Sequence, residues 1–344
     1  MSNSDDAKDD DNKVVVVGPG AIGTLFAFYL NASGVPVTLA DHDPRRASLI
    51  SSEPIQIYSG TNKFEEASIE CVSNASGLRR ANIDCLIFTV KAYDTEEASI
   101  QWGSLVGPRT RVVSLQNGLG NLEILKRFFG AEKVISAVTS EASTFLSSGR
   151  VYHAARGITR VAPVSKSSLA AAERLALMFR RAGLDSVAKD NAYDILWGKL
   201  VVNSAINPLS AITGLTNGEL LSCKGTRKLL SEIALETYLV GRLAARVNPD
   251  IEDARDPSTS VLKAAEATAR NKSSMLQDIL RGERTEIDFI NGAICREAKS
   301  KGSFRAPLNE AMHGIVKSLE ERNMRKPLHV ASPERQPPRP AKSA

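Results

Sequence analysis

Four consecutive valines, Val14 to Val17, run directly into Gly18-Pro19-Gly20-Ala21-Ile22-Gly23. A helical stretch with Leu25, Phe26, Phe28, Tyr29 and Leu30 follows. An unbroken apolar run suits a strand buried on both faces of a parallel sheet. In a strand–turn–helix unit of this kind the first glycine permits the tight turn and the second lets the backbone approach a pyrophosphate. The third lets the helix sit close to the strand. The helix N-terminus adds free N–H groups and the positive end of its dipole. The spacing Gly-x-Gly-x-x-Gly is a weak signal alone. Here it lies between a strand and a helix, near the start of the chain, with a second strand ending in a charged residue. That context predicts dinucleotide binding by Gly18, Pro19, Gly20, Ala21, Ile22 and Gly23.

The second strand, 37–40, leads into Asp41-His42-Asp43-Pro44-Arg45-Arg46. Two signals oppose each other in this segment. An acid at the end of this strand accepts from the ribose hydroxyls of NAD. Arg45, Arg46 and His42 could instead neutralise the 2′-phosphate of NADP. A solvated turn with Asp43 capping the next helix is the plainer reading.

The chain has 344 residues, enough for two domains, and 42% of them are hydrophobic, as globular cores need. From residue 13 to 190, short β-branched runs (14–17, 37–40, 85–90, 111–115 and 133–139) alternate with helical stretches. This pattern implies a parallel sheet with helices on both faces, with antiparallel strands added near 150–163. From 191 to 325 helical patterns take over, at 192–210, 218–245, 258–280, 285–301 and 308–321. The expected organisation is therefore a dinucleotide-binding Rossmann-type domain over 13–190 and an all-helical substrate domain over 191–325. An acidic leader (1–12) and a Pro-rich tail (326–344) read as disordered. A cleft between two such domains is a common place for a ligand.

Composition removes several function classes. The net charge of +5 comes without a basic stripe interleaved with aromatics, so nucleic-acid binding has no positive motif. A mildly basic surface suits anionic ligands. No apolar run approaches the ~20 residues of a membrane span. Cys71, Cys85, Cys223 and Cys295 show neither a zinc-ligand nor a disulfide spacing, which suits reduced thiols in the cytoplasm and no metal.

Lys91 follows 88–90 and Asn117 follows 113–116, each at the carboxyl end of a strand, where α/β sheets bind ligands. In the helical half, Lys199, Asn203 and Asn207 recur at four-residue spacing and share one helix face among nearly uniform apolar neighbours. Burying them without partners is costly, so a functional cleft or a polar interdomain contact is expected there. Further on, Ser273 or Ser274 could cap a helix, and Glu286 could belong to a cap with Thr285.

Several motifs occur in order: Gly18-x-Gly20-x-x-Gly23, Lys91, Gln116-Asn117-Gly118 and Trp197-x-Lys199-Leu200-x-x-Asn203-x-x-x-Asn207-Pro208. Asn217-Gly218, Ser274-Met275-x-Gln277-Asp278 and Thr285-Glu286-Ile287-Asp288 follow. Together, over roughly residues 13–322, they resemble the ketopantoate reductase (2-dehydropantoate 2-reductase) family. The resemblance implies a Rossmann domain followed by a helical domain like that of 6-phosphogluconate dehydrogenase. It implies NADPH-dependent reduction of 2-dehydropantoate to (R)-pantoate, a step toward pantothenate and coenzyme A. By position, Lys199 matches the catalytic lysine, and Asn203, Asn207, Asn217 and Ser274 match substrate-binding residues. Glu286 matches a glutamate at the meeting point of substrate and nicotinamide, with a catalytic and a cofactor-side role. Lys91 and Asn117 match cofactor contacts. Family members often carry an arginine at the end of the second strand. Asp41 and His42 stand there in this chain, with Arg45 and Arg46 later, so NAD is kept as the alternative cofactor.

The expected chemistry is hydride addition to C2 of a 2-oxo acid, with Lys199 as general acid. Asn203 and Asn207 would orient the substrate or the lysine. Ser274 would bind the carboxylate or the distal hydroxyl, and Glu286 would accept from a substrate hydroxyl and help position Lys199. Two other readings stay open: a reductase of a different 2-oxo acid, and a non-catalytic dinucleotide sensor. The partner is a small molecule, without nucleic acid or membrane, and a homodimer is left open.

Overall fold

A computed structural model describes residues 13–60, 63–78, 83–251, 256–300 and 305–325. The acidic leader and the Pro-rich tail lie outside the described residues.

The valine run forms strand β1 (Lys13–Val17) in the interior of an eight-stranded sheet. Its parallel neighbours are β2 (Val37–Ala40) and β6 (Ile83–Phe88). The sheet order is β12-β11-β8-β7-β6-β1-β2-β5, with β5 at Cys71–Val72 and β7 at Arg111–Ser114. The far edge comprises β8 (Val134–Thr139), β11 (Thr159–Pro163) and β12 (Ser186–Ala188). Every pairing in it is parallel except β8 with β11. Strand alternation sends Val14 and Val16 into one core and Val15 and Val17 into another. The first core holds Leu25, Phe26 and Leu30 of helix α1 (Ala21–Ala32), and the second holds Trp102, Leu122 and Leu125.

A second sheet was not expected. It joins β3 (Ile55–Ser59), β4 (Lys63–Ala67), β9 (Ala142–Ser147) and β10 (Arg150–Ala155) in the order β4-β3-β10-β9. It packs against α1. There Tyr29 of α1 meets His153 of β10 at 3.2 Å, and His153 meets buried Glu141 at 2.6 Å. The antiparallel strands expected near 150–163 are therefore divided between two sheets, β10 in one and β11 in the other.

The helices of the α/β half are α1, α2 (Pro44–Ser52), α3 (Thr95–Trp102), α4 (Asn121–Phe129) and α5 (Leu169–Arg181). The second half is helical and built around the 22-residue α6 (Ala192–Thr213), capped by the Asn191 side chain. The start of α6, through Ala192, Ile195 and Leu196, belongs to the core beneath the sheet. Its later residues enter the helical core with α8 (Lys224–Val240), α9 (Pro257–Ala267) and α12 (Pro307–Arg325). One helix thus spans the junction of the two halves.

Pro208 sits inside α6 and cannot donate to the carbonyl of Ser204. The buried amide of Asn291 supplies that bond at 2.9 Å. Three of the expected long helices are interrupted. The segment 218–245 divides into α7 (Asn217–Ser222), α8 and a π-helical turn over Gly241–Ala245, with extended backbone at Cys223. The segment 258–280 breaks between α9 and α10 (Ser274–Arg281). The segment 285–301 becomes helical only at α11 (Asn291–Ser300). There Glu320 holds the Thr285 amide and hydroxyl at 2.8 and 2.6 Å, which keeps 285–290 as a buried turn.

Candidate active site

A cavity of about 1150 Å³ opens between the carboxyl ends of the parallel strands and the helical half. Gly18, Pro19, Gly20, Ala21 and Ile22 line it, while Gly23 stands behind them. The glycines are required by close approach. A Cβ on Gly18, where φ is +100°, would lie 2.8 Å from Val90 N, and one on Gly23 would lie 2.1 Å from Gly18 O. Around Gly20, by contrast, a Cβ would meet nothing within 4 Å. No side chain caps α1, and its first turn carries no acid. Its leading N–H groups thus face the cavity without a competing anion, which fits a dinucleotide's phosphates.

At the end of β2, Asp41 is almost wholly buried. Arg46 grips it with two bonds, Nε to Oδ2 at 2.8 Å and Nη2 to Oδ1 at 2.6 Å. Asp43 N also donates to Asp41 Oδ1, and the Asp43 side chain caps α2. His42 and Arg46 both line the cavity and are exposed. Arg45 does not line it. Its backbone N–H is tied to the Asp43 cap, and the residue is exposed. Of the two arginines, the cavity residue is therefore Arg46, which corrects the expectation placed on Arg45.

Lys91, after β6, reaches across the cleft to Asp278 of α10 at 2.6 Å, and Arg281 holds the other Asp278 oxygen at 2.8 Å. Burial disfavours the Lys91 ammonium, but Glu286 and Asp278 outweigh it and raise its pKa. Burial pushes the Asp278 carboxyl up to about 6 against the pull of Lys91. Asn117, after β7, donates to Glu286 Oε2 at 3.3 Å and accepts from Asn203 at 3.4 Å. Glu286 Oε1 accepts from Ala92 N at 3.0 Å. These bonds tie the two halves together. At the next residue, Gly118, a Cβ would lie 2.6 Å from Phe289 O, so the strand-end loop docks directly on the turn bearing Glu286.

Lys199, Asn203 and Asn207 all line the cavity from one face of α6, as their spacing predicted. Lys199 Nζ donates to Thr139 O, at the end of β8, at 2.8 Å. Burial, helped by Arg160 of β11, lowers its pKa to about 8. Arg160 also lines the cavity and pairs with Asp250 at 3.1 Å. Glu286 does not help position Lys199 here. Its hydrogen bonds go to Ala92 and Asn117, and the lysine is held by a backbone carbonyl.

Ser273 caps α10 through Leu276 N, which leaves the hydroxyl of Ser274 exposed on the cavity wall. Asn217, in the first turn of α7, lines the cavity as well. Sequence reasoning missed Arg160, Thr268 and Asp278 as cavity residues. For Asp278 the signal was present in the motif that contains it. For Arg160, a charge within a short strand, there was none. Among the described residues, no cluster of His, Cys, Asp and Glu could hold a metal ion, and no helix is long and apolar enough to cross a membrane.

Comparison with known proteins bears on this cleft. Residues 14–166 match the family Ketopantoate reductase PanE/ApbA, and residues 191–320 match its C-terminal region. The 2-dehydropantoate 2-reductase of Pyrococcus horikoshii is 35% identical over 308 residues, 90% of this chain and 97% of that protein. That of Archaeoglobus fulgidus is 33% identical over 309 residues, 90% and 98% of the two chains. Among solved structures, a PanE/ApbA family ketopantoate reductase from Ralstonia eutropha is 30% identical. It aligns with a TM-score of 0.78 over 91% of this chain and 99% of its own. D-mandelate dehydrogenase with NADH and anilino(oxo)acetate is 26% identical, with a TM-score of 0.83 over the same shares. With both of its halves matched in order, this chain belongs to the ketopantoate reductase PanE/ApbA family, a family of oxidoreductases.

Proposed function

We propose that this chain reduces 2-dehydropantoate (ketopantoate) to (R)-pantoate with NADPH, a step toward pantothenate and coenzyme A, in the cytoplasm. The observation that carries the reading is the shared wall of one cleft. A lysine with a pKa of about 8 and two asparagines on α6 face the glycine loop across it.

Gly18 to Ile22 would hold the pyrophosphate, with Gly23 allowing the close packing of α1. His42 and Arg46 would face the adenosine end, and Lys91, Asn117 and Glu286 the nicotinamide end. When bound, the reduced nicotinamide supplies the hydride that C2 of a 2-oxo acid accepts. The ammonium of Lys199 keeps donors free beyond the one given to Thr139 O. It stabilises the negative charge developing on the C2 oxygen and transfers a proton to it, and solvent reprotonates the amine. Asn203 and Asn207, one and two turns along, orient the substrate. Ser274 donates to the carboxylate. Glu286 accepts from the C2 hydroxyl of the product.

The preference for NADPH rests on Asp41. A carboxylate that selects NAD offers its oxygens to the ribose hydroxyls. Here Arg46 and Asp43 N hold the Asp41 oxygens, and Arg46 and His42 line the cavity beside that carboxylate. The Arg46 guanidinium has further N–H donors beyond the two given to Asp41, and these could meet a 2′-phosphate.

Initial rates with ketopantoate and phenylglyoxylate, each with NADPH and NADH, test the reading. The highest kcat/KM is expected for ketopantoate with NADPH. A higher value for phenylglyoxylate would assign the cleft to aryl 2-oxo acids instead.

A further inference from the structure

The amide oxygen of Asn217 is buried without a hydrogen-bond partner in a residue that lines the cavity. Asn217 as a whole is only 7% exposed. Its amide nitrogen donates to Thr268 Oγ1 at 2.8 Å, and Thr268 Oγ1 in turn donates to Ala264 O at 2.7 Å. A hydroxyl has one proton. With that proton committed to Ala264 O, Thr268 Oγ1 can only accept from Asn217. Turning the amide over would set two acceptors face to face and leave a buried NH₂ unpaired. The backbone fixes the same contact. Asn217 N donates to Asn271 O at 3.0 Å, and Gly218 N to Ala269 O at 2.9 Å. A Cβ on Gly218 would lie 2.7 Å from the Ala269 side chain.

We infer that Thr268 is a specificity-determining positioning residue. By holding Asn217 with its amide oxygen as an obligate acceptor, it makes the cleft select 2-oxo acids that carry a hydroxyl distal to the oxo group. This rests on the reading of the cleft as a 2-oxo acid reductase site. A buried acceptor is costly when unpaired, so an acid of the same shape without the hydroxyl leaves it orphaned. One such hydrogen bond supports a discrimination of about tenfold to a hundredfold.

The test compares 4-hydroxy-3,3-dimethyl-2-oxobutanoate with 3,3-dimethyl-2-oxobutanoate, which differ only in that hydroxyl. Wild-type protein is expected to favour the hydroxylated acid by about tenfold or more in kcat/KM, chiefly through KM. Thr268→Val keeps the shape but removes the acceptor for Asn217. It is expected to lose activity on the hydroxylated acid alone, so that the preference collapses, and Thr268→Ser is expected to restore it. Thr268→Ala gives the same reading if valine impairs folding. Equal losses on both acids, an unchanged preference in Thr268→Val, or no preference in the wild type would overturn the inference while leaving the reductase reading intact. Failure of the wild type to reduce either acid with either cofactor would overturn that reading, and this inference with it.

Discussion

If Lys199 donates the proton, reduction follows the protonated fraction of Lys199. Burial in the cleft, assisted by Arg160, lowers its pKa from 10.5 to about 8. At pH 9 a group with that pKa is only about one-tenth protonated, whereas an ordinary lysine is still almost fully charged. The kcat/KM for 2-oxo acid reduction should therefore fall about tenfold between pH 7 and pH 9. Oxidation of the 2-hydroxy acid needs the neutral amine, so it should rise through the same window. The assay follows the absorbance of the reduced nicotinamide in both directions across a buffered pH series. Arg160→Gln removes the neighbouring positive charge, and the alkaline limb should move to higher pH. A reduction rate that stays flat through pH 9, or an alkaline limb that survives unchanged in Lys199→Ala, would refute the assignment of that limb to Lys199.

Three further outcomes are expected. The depressed pKa means that the charged lysine costs the fold about 3 kcal/mol, a cost fully present below about pH 8 and relieved as pH rises toward 10.5. Lys199→Met should therefore raise the thermal midpoint at pH 7 while abolishing turnover, the gain being reduced by loss of the bond to Thr139; a lower midpoint would contradict the sign. Arg46→Ala removes a cavity cation and leaves the Asp41 charge without its counter-ion. It should shift the KM ratio toward NADH by about tenfold to a hundredfold, and an equal loss with both cofactors would argue against a phosphate contact. Asn291→Ala strips the donor from the Ser204 and Asn309 oxygens, with an expected loss of about 2–3 kcal/mol in chemical denaturation.

The parts of the fold that were legible in the sequence are those set by local pattern. The valine run and the glycine spacing specify β1, the loop and α1 within twenty residues. The four-residue spacing of Lys199, Asn203 and Asn207 specifies a helix face, because their neighbours are apolar. The second sheet was hidden because its central pairing joins β3 to β10, separated by about ninety residues of chain. In addition, the exposed Lys63-Phe64-Glu65-Glu66-Ala67 reads as a charged loop. The choice between Arg45 and Arg46 depends on a rotation of ~100° along one helix, which follows from 3.6 residues per turn. That rotation is set by the Asp43 cap and the buried Asp41. The breaks at 268–273 and 285–290 depend on distant partners, such as Glu320 for Thr285 and Phe289 for the loop at Gly118. No local propensity records those contacts.

Ketopantoate-dependent oxidation of NADPH by purified wild-type protein and Lys199→Ala, with NADPH affinity titrated in parallel, decides whether Lys199 is the acid of a ketopantoate reductase. A proton-donating Lys199 predicts turnover by the wild type and a loss of about a hundredfold to ten-thousandfold in the variant, with NADPH affinity nearly unchanged. No ketopantoate-dependent oxidation by the wild type, or near-full turnover by a folded variant, would contradict it.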